Sequence, residues 1–176
     1  GRLVQNPLET RGYVGLWDAI EELYTLHAAA GKPQTAGRDL AHFIFGLPED
    51  RVRAVVKDVG GGFGAKNPLY PEQALVLWTA KKLGRPVRWQ ASRSETFLAD
   101  YQGRGQAADA EMAFDADGNV LAFRVRVLAD LGAFLGPRGS TAPNMWRTMG
   151  ASVYDFPAVD YEVRAIHTHN MPTSPY

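Results

Sequence analysis

The alternation of apolar and polar positions divides this chain into short strands and two helices before it turns irregular. Tyr13-Val14-Gly15-Leu16-Trp17 and Leu23-Tyr24-Thr25-Leu26-His27 alternate with a period of two on either side of the polar stretch Asp18 to Glu22, and predict a β-hairpin. Thr35 to Gly46 places Leu40, Ala41, Ile44 and Phe45 at helical spacing, with Gly46 as a stop and Pro48 beyond it. A strand over Arg51 to Lys57 follows, then a glycine-rich stretch, a helix from Tyr70 to Gly84 with Pro71 in its first turn, and a strand over Pro86 to Gln90. The order is ββαβαβ. Strands and helices alternating after a hairpin predict an α+β fold, an α/β two-layer sandwich with helices on one face of a mixed sheet.

A second section extends this unit. Ala107 to Phe114 alternates, Asp115-Ala116-Asp117-Gly118 reads as a hairpin turn, and Val120 to Leu128 alternates again with Arg124 and Arg126 on the outer face. Past Asp130-Leu131-Gly132-Ala133 the chain runs through Gly136-Pro137-Arg138-Gly139-Ser140 and Pro143, a stretch too long for a plain connection, in which Trp146 and Met149 argue against disorder. Val159 to His167 is a last strand candidate, and His169 to Tyr176 leaves as an irregular tail. The sequence thus predicts residues 1–100 as one part, holding the glycine turn, and residues 101–176 as an antiparallel hairpin and loop extension.

Composition narrows the function classes. The 176 residues are 45% hydrophobic and 22% charged, enough to bury a core. Nineteen basic and nineteen acidic residues cancel, and no basic run stands out, so neither nucleic acid nor a membrane surface is expected as a partner. With no cysteine, the chain offers no disulfide, thiolate zinc site or Fe–S ligation, so any Fe–S cluster must sit elsewhere. The chain starts at Gly1 without a methionine and stops abruptly at Pro175-Tyr176, which suggests a piece of something longer.

The chemistry concentrates in Asp58-Val59-Gly60-Gly61-Gly62-Phe63-Gly64-Ala65-Lys66, a strand-to-helix turn with four glycines. Glycine permits positive φ and carries no Cβ, so amide N–H groups there can approach an anion or a metal-bound oxygen. Phe63 within this run must either plug a hole or wall a pocket. Gly60, Gly62 and Ala65 fit G-x-G-x-x-G/A, but the next strand ends in Trp89-Gln90-Ala91-Ser92 with no acid for a ribose, and a hairpin and helix come first, so a dinucleotide fold is disfavoured. Ala65-Lys66-Asn67 lacks the Gly-Lys-Ser/Thr of a phosphate-loop NTPase. His27, His42, His167 and His169 have no carboxylate spaced to complete a zinc site. Arg93-Ser94-Glu95, near Asp100 and Arg104, reads as a capping or ion-pairing cluster rather than a catalytic one.

Taken together, Asp58 to Lys66, Tyr70-Pro71-Glu72, Leu83-Gly84-Arg85-Pro86-Val87-Arg88-Trp89 and Ser92-Arg93-Ser94-Glu95 resemble the molybdopterin-binding large subunit of the xanthine dehydrogenase, aldehyde oxidase and carbon monoxide dehydrogenase family. Asn6-Pro7-Leu8-Glu9-Thr10-Arg11-Gly12 is similar to that family's Asn-Pro-Met-Glu-Pro-Arg-Gly, and Phe114 to Gly118 with Val125 to Ala133 resembles its following strand pair. The resemblance covers nearly the whole chain but only part of the family's subunit. It implies a molybdenum cofactor, as molybdopterin or its cytosine dinucleotide, with no metal ligation by side chains. It also implies oxidation of an aldehyde, purine or N-heterocycle by attack of a metal-bound hydroxide with hydride transfer. Electrons would leave through Fe–S clusters and FAD on other domains or subunits, in a cytoplasmic, dimeric assembly. Gly60, Gly61, Gly62, Phe63 and Gly64 are the expected cofactor-binding residues, with Phe63 as substrate wall.

Two departures stand out. The family's Thr-Gln after the second strand, whose glutamine reaches a metal ligand, is replaced by Ala30-Gly31, leaving Gln34 as the candidate amide. The family's loop continues past Pro-Tyr into Arg-Gly, so its arginine and general-base glutamate are expected outside this sequence, and the fragment alone is expected to be inactive. Pro-Tyr is closer to the hydroxylase branch than to the Ala-Tyr-Arg-Cys loop of carbon monoxide dehydrogenases. The alternative reading is a binding or assembly module that kept the fold without a working metal site.

Overall fold

The computed structural model describes residues 3–136 and 138–174, which separate into two compact units, Val4–Asp100 and a second made of Leu3 with residues 101–174. In the first, β1 (Gly12–Asp18) and β2 (Leu23–Ala28) form the expected antiparallel hairpin, β3 (Val52–Val55) runs parallel to β2, and β4 (Val87–Gln90) runs antiparallel to β1. The sheet is mixed, in the order β3-β2-β1-β4. The register places Tyr13, Gly15 and Trp17 on one face with Leu26 and Tyr24 of β2 and Trp89 and Val87 of β4. Helices α1 (Pro33–Asp39) and α2 (Pro71–Leu83) cover that face, and Tyr13, Tyr24, Leu26, Leu40, Ala41, Val52, Val76 and Leu77 form the core. The other face carries Val14, Thr25, His27, Arg53 and Arg88, half-buried or exposed. At the closest approach of α2 to the sheet, a Cβ on Gly15 would lie 2.5 Å from the backbone of Val76, so this strand position has room for glycine alone.

Element boundaries follow local causes. The predicted Thr35–Gly46 helix is α1 running on into a π-helical turn, Leu40–Phe45, that ends at Gly46 with φ +62°. The widened turn accompanies burial of Leu40 and Ala41 and stacking of Phe45 on Tyr24, centroids 4.7 Å apart. Strand β3 is shorter than Arg51 to Lys57 because its ladder with β2 ends at the Val55–His27 pair, and Glu49–Arg51 forms a 3₁₀ turn. Helix α2 is capped by Tyr70 and by Gly84 at φ +62°, with the buried Gln73 carboxamide accepting from Tyr70 N–H at 2.8 Å. A further helix, α3 (Arg93–Ala99), stands where the sequence reading saw only a polar cluster. Ser92 and Glu95 form a capping box, Glu95 N–H donating to Ser92 Oγ at 3.1 Å and Ser92 N–H to the Glu95 carboxylate at 2.6 Å.

In the second unit, β5 (Gln106–Phe114) and β6 (Val120–Gly132) form the expected hairpin, with the Asp115 carboxylate accepting from the N–H groups of Asp117 and Asn119. The extension is not purely antiparallel. Strand β7 (Val159–His167) lies parallel to β6, and a parallel neighbour demands a long crossover, which explains the length of the 133–158 stretch and the helix α4 (Thr141–Met149) inside it. Arg124 and Arg126 face outward and pair with Glu111, Asp160 and Glu162. Pro175 and Tyr176, the end of the expected tail, lie outside the described residues. No described helix is long and apolar enough to cross a membrane.

Asp130 fastens the end of β6 to the segment after β7, accepting from Gly132 N–H at 2.7 Å, Thr168 Oγ1 at 2.7 Å and Asn170 Nδ2 at 2.7 Å. Burial works against its ionisation, but the bonds from Thr168, Asn170 and Gly132 outweigh it and hold its pKa below the ordinary aspartate value. A pKa lowered on folding adds stability that is fully present above the unfolded-state pKa and is lost as pH falls through the native one. D130N should therefore flatten the acid limb of a plot of melting temperature against pH, while leaving its slope near neutrality unchanged. G15A should destabilise by about 1–3 kcal/mol from forced overpacking, read as a lowered urea midpoint with unchanged m-value.

Candidate functional site: a glycine turn with free amides

The glycine turn runs from the end of β3 to the cap of α2 and is held at its edges rather than along its length. Gly60 donates to Glu9 Oε2 at 2.9 Å and its carbonyl accepts from Glu9 N–H at 3.1 Å. Further on, Ala65 N–H bonds to Gly62 O at 2.9 Å, Asn67 N–H to Gly64 O at 3.2 Å, and Tyr70 Oη donates to Ala65 O at 2.9 Å. Between these fixed points the N–H groups of Gly61, Gly62, Phe63 and Gly64 have no acceptor among the described residues. Gly61 at φ +94°, Phe63 at φ +48° and Gly64 at φ +88° put three of these four residues in the left-handed region, which favours glycine. A Cβ on Gly62 would meet nothing closer than Lys66 Cβ at 3.9 Å, so the turn is open there.

Phe63 is 65% exposed, so it is not a buried plug. A Cβ on Gly61 would lie 3.3 Å from Phe63 Cε2 and 3.2 Å from Pro7 Cβ, so little room is left for a side chain there.

The residues that brace the turn come from the Asn6–Gly12 segment, and pattern reasoning passed over most of them. Lys66 Nζ reaches Glu9 Oε2 at 2.6 Å with the lysine side chain 1% exposed. Arg93 donates to Asn6 Oδ1 at 2.6 Å and to the carbonyls of Pro7 and Leu8 at 2.7 Å each, so it fixes that segment's path, where an ion pair was an expected alternative. Arg11, also 1% exposed, donates to Asp100 Oδ1 at 2.6 Å and Glu72 Oε2 at 3.0 Å, and its guanidinium carbon lies 3.7 Å from the Tyr70 ring centroid. Burial opposes the Arg11 charge, but Tyr13, Glu72 and Asp100 hold its pKa above the ordinary arginine value. Burial likewise pushes the Tyr13 phenol up to about 12, so it stays neutral at physiological pH. The available signal was the adjacency of Lys66 to the glycines and the acid-then-arginine pattern of Glu9 and Arg11.

Gln34 sits exposed on the first turn of α1. The residue of that loop that meets the end of the glycine turn is Gly31, where a Cβ would lie 2.2 Å from Asn67 Oδ1. Beside the turn, on the sheet face without helices, lies a cleft of about 390 Å³ lined by Glu9, Thr10, His27, Lys57, Arg88 and others.

A row of free backbone donors, with Glu9 already engaged by Lys66, suits an uncharged or anionic oxygen acceptor carried by a bound group. The fold is that of an α+β domain whose glycine turn leaves a row of backbone donors unused. Comparison with known proteins supplies the family: the molybdopterin cofactor-binding domain matches residues 1–176, and the chain belongs to that family, in the xanthine dehydrogenase, aldehyde oxidase and carbon monoxide dehydrogenase group. It is 34% identical over 167 residues to the carbon monoxide dehydrogenase large chain of Hydrogenophaga pseudoflava, covering 94% of this chain and 21% of that one. It is 31% identical over 175 residues to the nicotine 6-hydroxylase large subunit of Paenarthrobacter nicotinovorans, covering 98% of this chain and 21% of that one. The solved quinoline 2-oxidoreductase from Pseudomonas putida 86 matches with a TM-score of 0.89 at 35% identity, over 98% of this chain and 22% of that one. The chain thus spans about a fifth of the length of these relatives.

If Arg11 anchors the bracing segment, R11M should cost about 3–5 kcal/mol, the penalty for breaking a buried charge pair, measured by equilibrium unfolding. A loss under about 1 kcal/mol would mean that the segment is held by its other contacts.

Proposed function

We propose that this chain is the cofactor-cradling part of a molybdenum hydroxylase large subunit that oxidises an aldehyde, purine or N-heterocycle. The observation that carries this reading is the run of free N–H groups at Gly61 to Gly64, in a chain of the molybdopterin-binding family. The residues fit such a group. Fixed amide donors stabilise charge on an oxygen without reorganising when it develops, which is the physical advantage of backbone over side-chain donors. When bound, molybdopterin supplies the redox-active metal to which substrate electrons pass. Gly60 to Gly64 hold and orient that group, Phe63 presents an apolar face against which a planar substrate stacks, and Gln34 is the amide proposed from the first turn of α1. Relatives named as nicotine 6-hydroxylase and quinoline 2-oxidoreductase support a heteroaromatic substrate. Fe–S clusters and FAD, on other domains or subunits, complete the electron path, and the cytosine dinucleotide is one form the pterin could take.

One observation favours the second reading, a binding or assembly module without chemistry. Gly31 offers no side-chain amide, and Asn67 occupies the space a side chain there would use.

Molybdenum and pterin content of the full-length protein decides between them. Stoichiometric metal and pterin are expected, and a cleanly empty protein from a host that makes the cofactor would favour the module. Within the loaded enzyme, G61A should lower pterin occupancy, because its φ of +94° is strained for any L side chain. F63A should raise KM for a planar substrate about tenfold, a loss of the size expected for one aromatic contact.

A further inference from the structure

One oxygen of Glu9 closes the glycine turn. Oε2 accepts from Gly60 N–H at 2.9 Å and from Lys66 Nζ at 2.6 Å, while Glu9 N–H reaches the Gly60 carbonyl at 3.1 Å. Gly60 and Lys66 bound the segment whose inner N–H groups are free, so a single carboxylate ties both of its ends. Glycines cannot set the direction of those donors themselves, because they give the backbone its widest freedom. The direction must be imposed from the ends. Lys66 is 1% exposed, and a buried ammonium that loses its carboxylate is left uncompensated, so the pair resists separation. The fit is close as well, since a Cβ on Gly60 would lie 2.6 Å from Glu9 Cβ.

We propose that Glu9 and Lys66 are positioning residues that aim the free amides of Gly61 to Gly64 at the bound cofactor, acting through Gly60 without touching the reacting atoms. The inference rests on the cofactor reading above. It is distinct from a purely structural role, in which the pair would stabilise the fold and leave the turn's grip on its ligand unchanged.

The variants E9M, K66M and the double variant E9M/K66M separate the two, made in the full-length protein with its partner subunits in a host that makes the cofactor. Each single change leaves one polar group of the pair without its partner and should lower the melting temperature. The double change removes both charges at nearly constant shape, and should recover most of that loss. The decisive readout is the rate at which pterin is released on dialysis, followed by its fluorescence. The double variant is expected to melt near the wild type and yet release pterin about tenfold faster, the scale on which support residues affect a bound metal group. Release at the wild-type rate from a stable double variant would overturn the positioning role while leaving the cofactor reading intact. A wild-type protein that carries no pterin would overturn both.

Discussion

The guanidinium of Arg11 is the point from which the first unit hangs. It sits at the entry to β1, bonded to the first turn of α2 through Glu72 and to the C-terminal cap of α3 through Asp100, with the rings of Tyr70 and Trp89 over it. A charge with 1% exposure is tolerated only where its donors are nearly all used and its counter-charges are close. That requirement fixes the relative positions of two helices and a strand more tightly than apolar packing alone, since bonded donors are directional and hydrophobic contact is not. Two residues before Arg11 along the same extended segment stands Glu9, so the anchoring of the scaffold and the closing of the glycine turn are one covalently linked device.

The strain in the turn makes sense on this footing. Phe63 is not glycine, yet it holds φ +48°, a conformation that costs on the order of 1 kcal/mol for such a residue and persists only when its surroundings impose it. The four free N–H groups are a second cost, lessened by the openness of the turn to solvent at Gly62. Both costs are carried before any ligand arrives. What they provide is a set of donors that need not rearrange on binding, at the expense of stability supplied by the Arg11 network.

The ββαβαβ order was legible because each element obeys a period the sequence displays: alternation in Tyr13–Trp17 and Leu23–His27, helical spacing from Tyr70 to Gly84, and a turn signal at Asp115–Gly118. The glycine turn was legible as an irregular strand-to-helix turn because four glycines between two periodic segments break both periods. Other features left weaker marks. Helix α3 carries its signature in Ser92 and Glu95, but only seven residues follow the cap, too few to show a period. The parallel pairing of β7 has no local signal, since pairing direction is decided by where the 133–158 crossover delivers the strand. The bracing of the turn was hidden for a related reason. Glu9–Lys66, Arg11–Asp100 and Arg93–Asn6 join residues 57 or more positions apart, and one sequence does not reveal which charges meet.

Donor chemistry also limits what the site can select. Backbone amides carry partial positive charge but no titratable group, and Glu9, the carboxylate bonded to the turn at Gly60, is held ionised: burial opposes its charge, and the bonds from Lys66 and Gly60 more than compensate. The donors of the turn therefore keep their charge distribution over a wide pH range without exchanging protons. Under the proposed function, proton transfer would be assigned to residues outside the turn. In that proposed division of labour the turn fixes geometry and field, Phe63 supplies an apolar surface, and acid–base chemistry is left to residues beyond the turn.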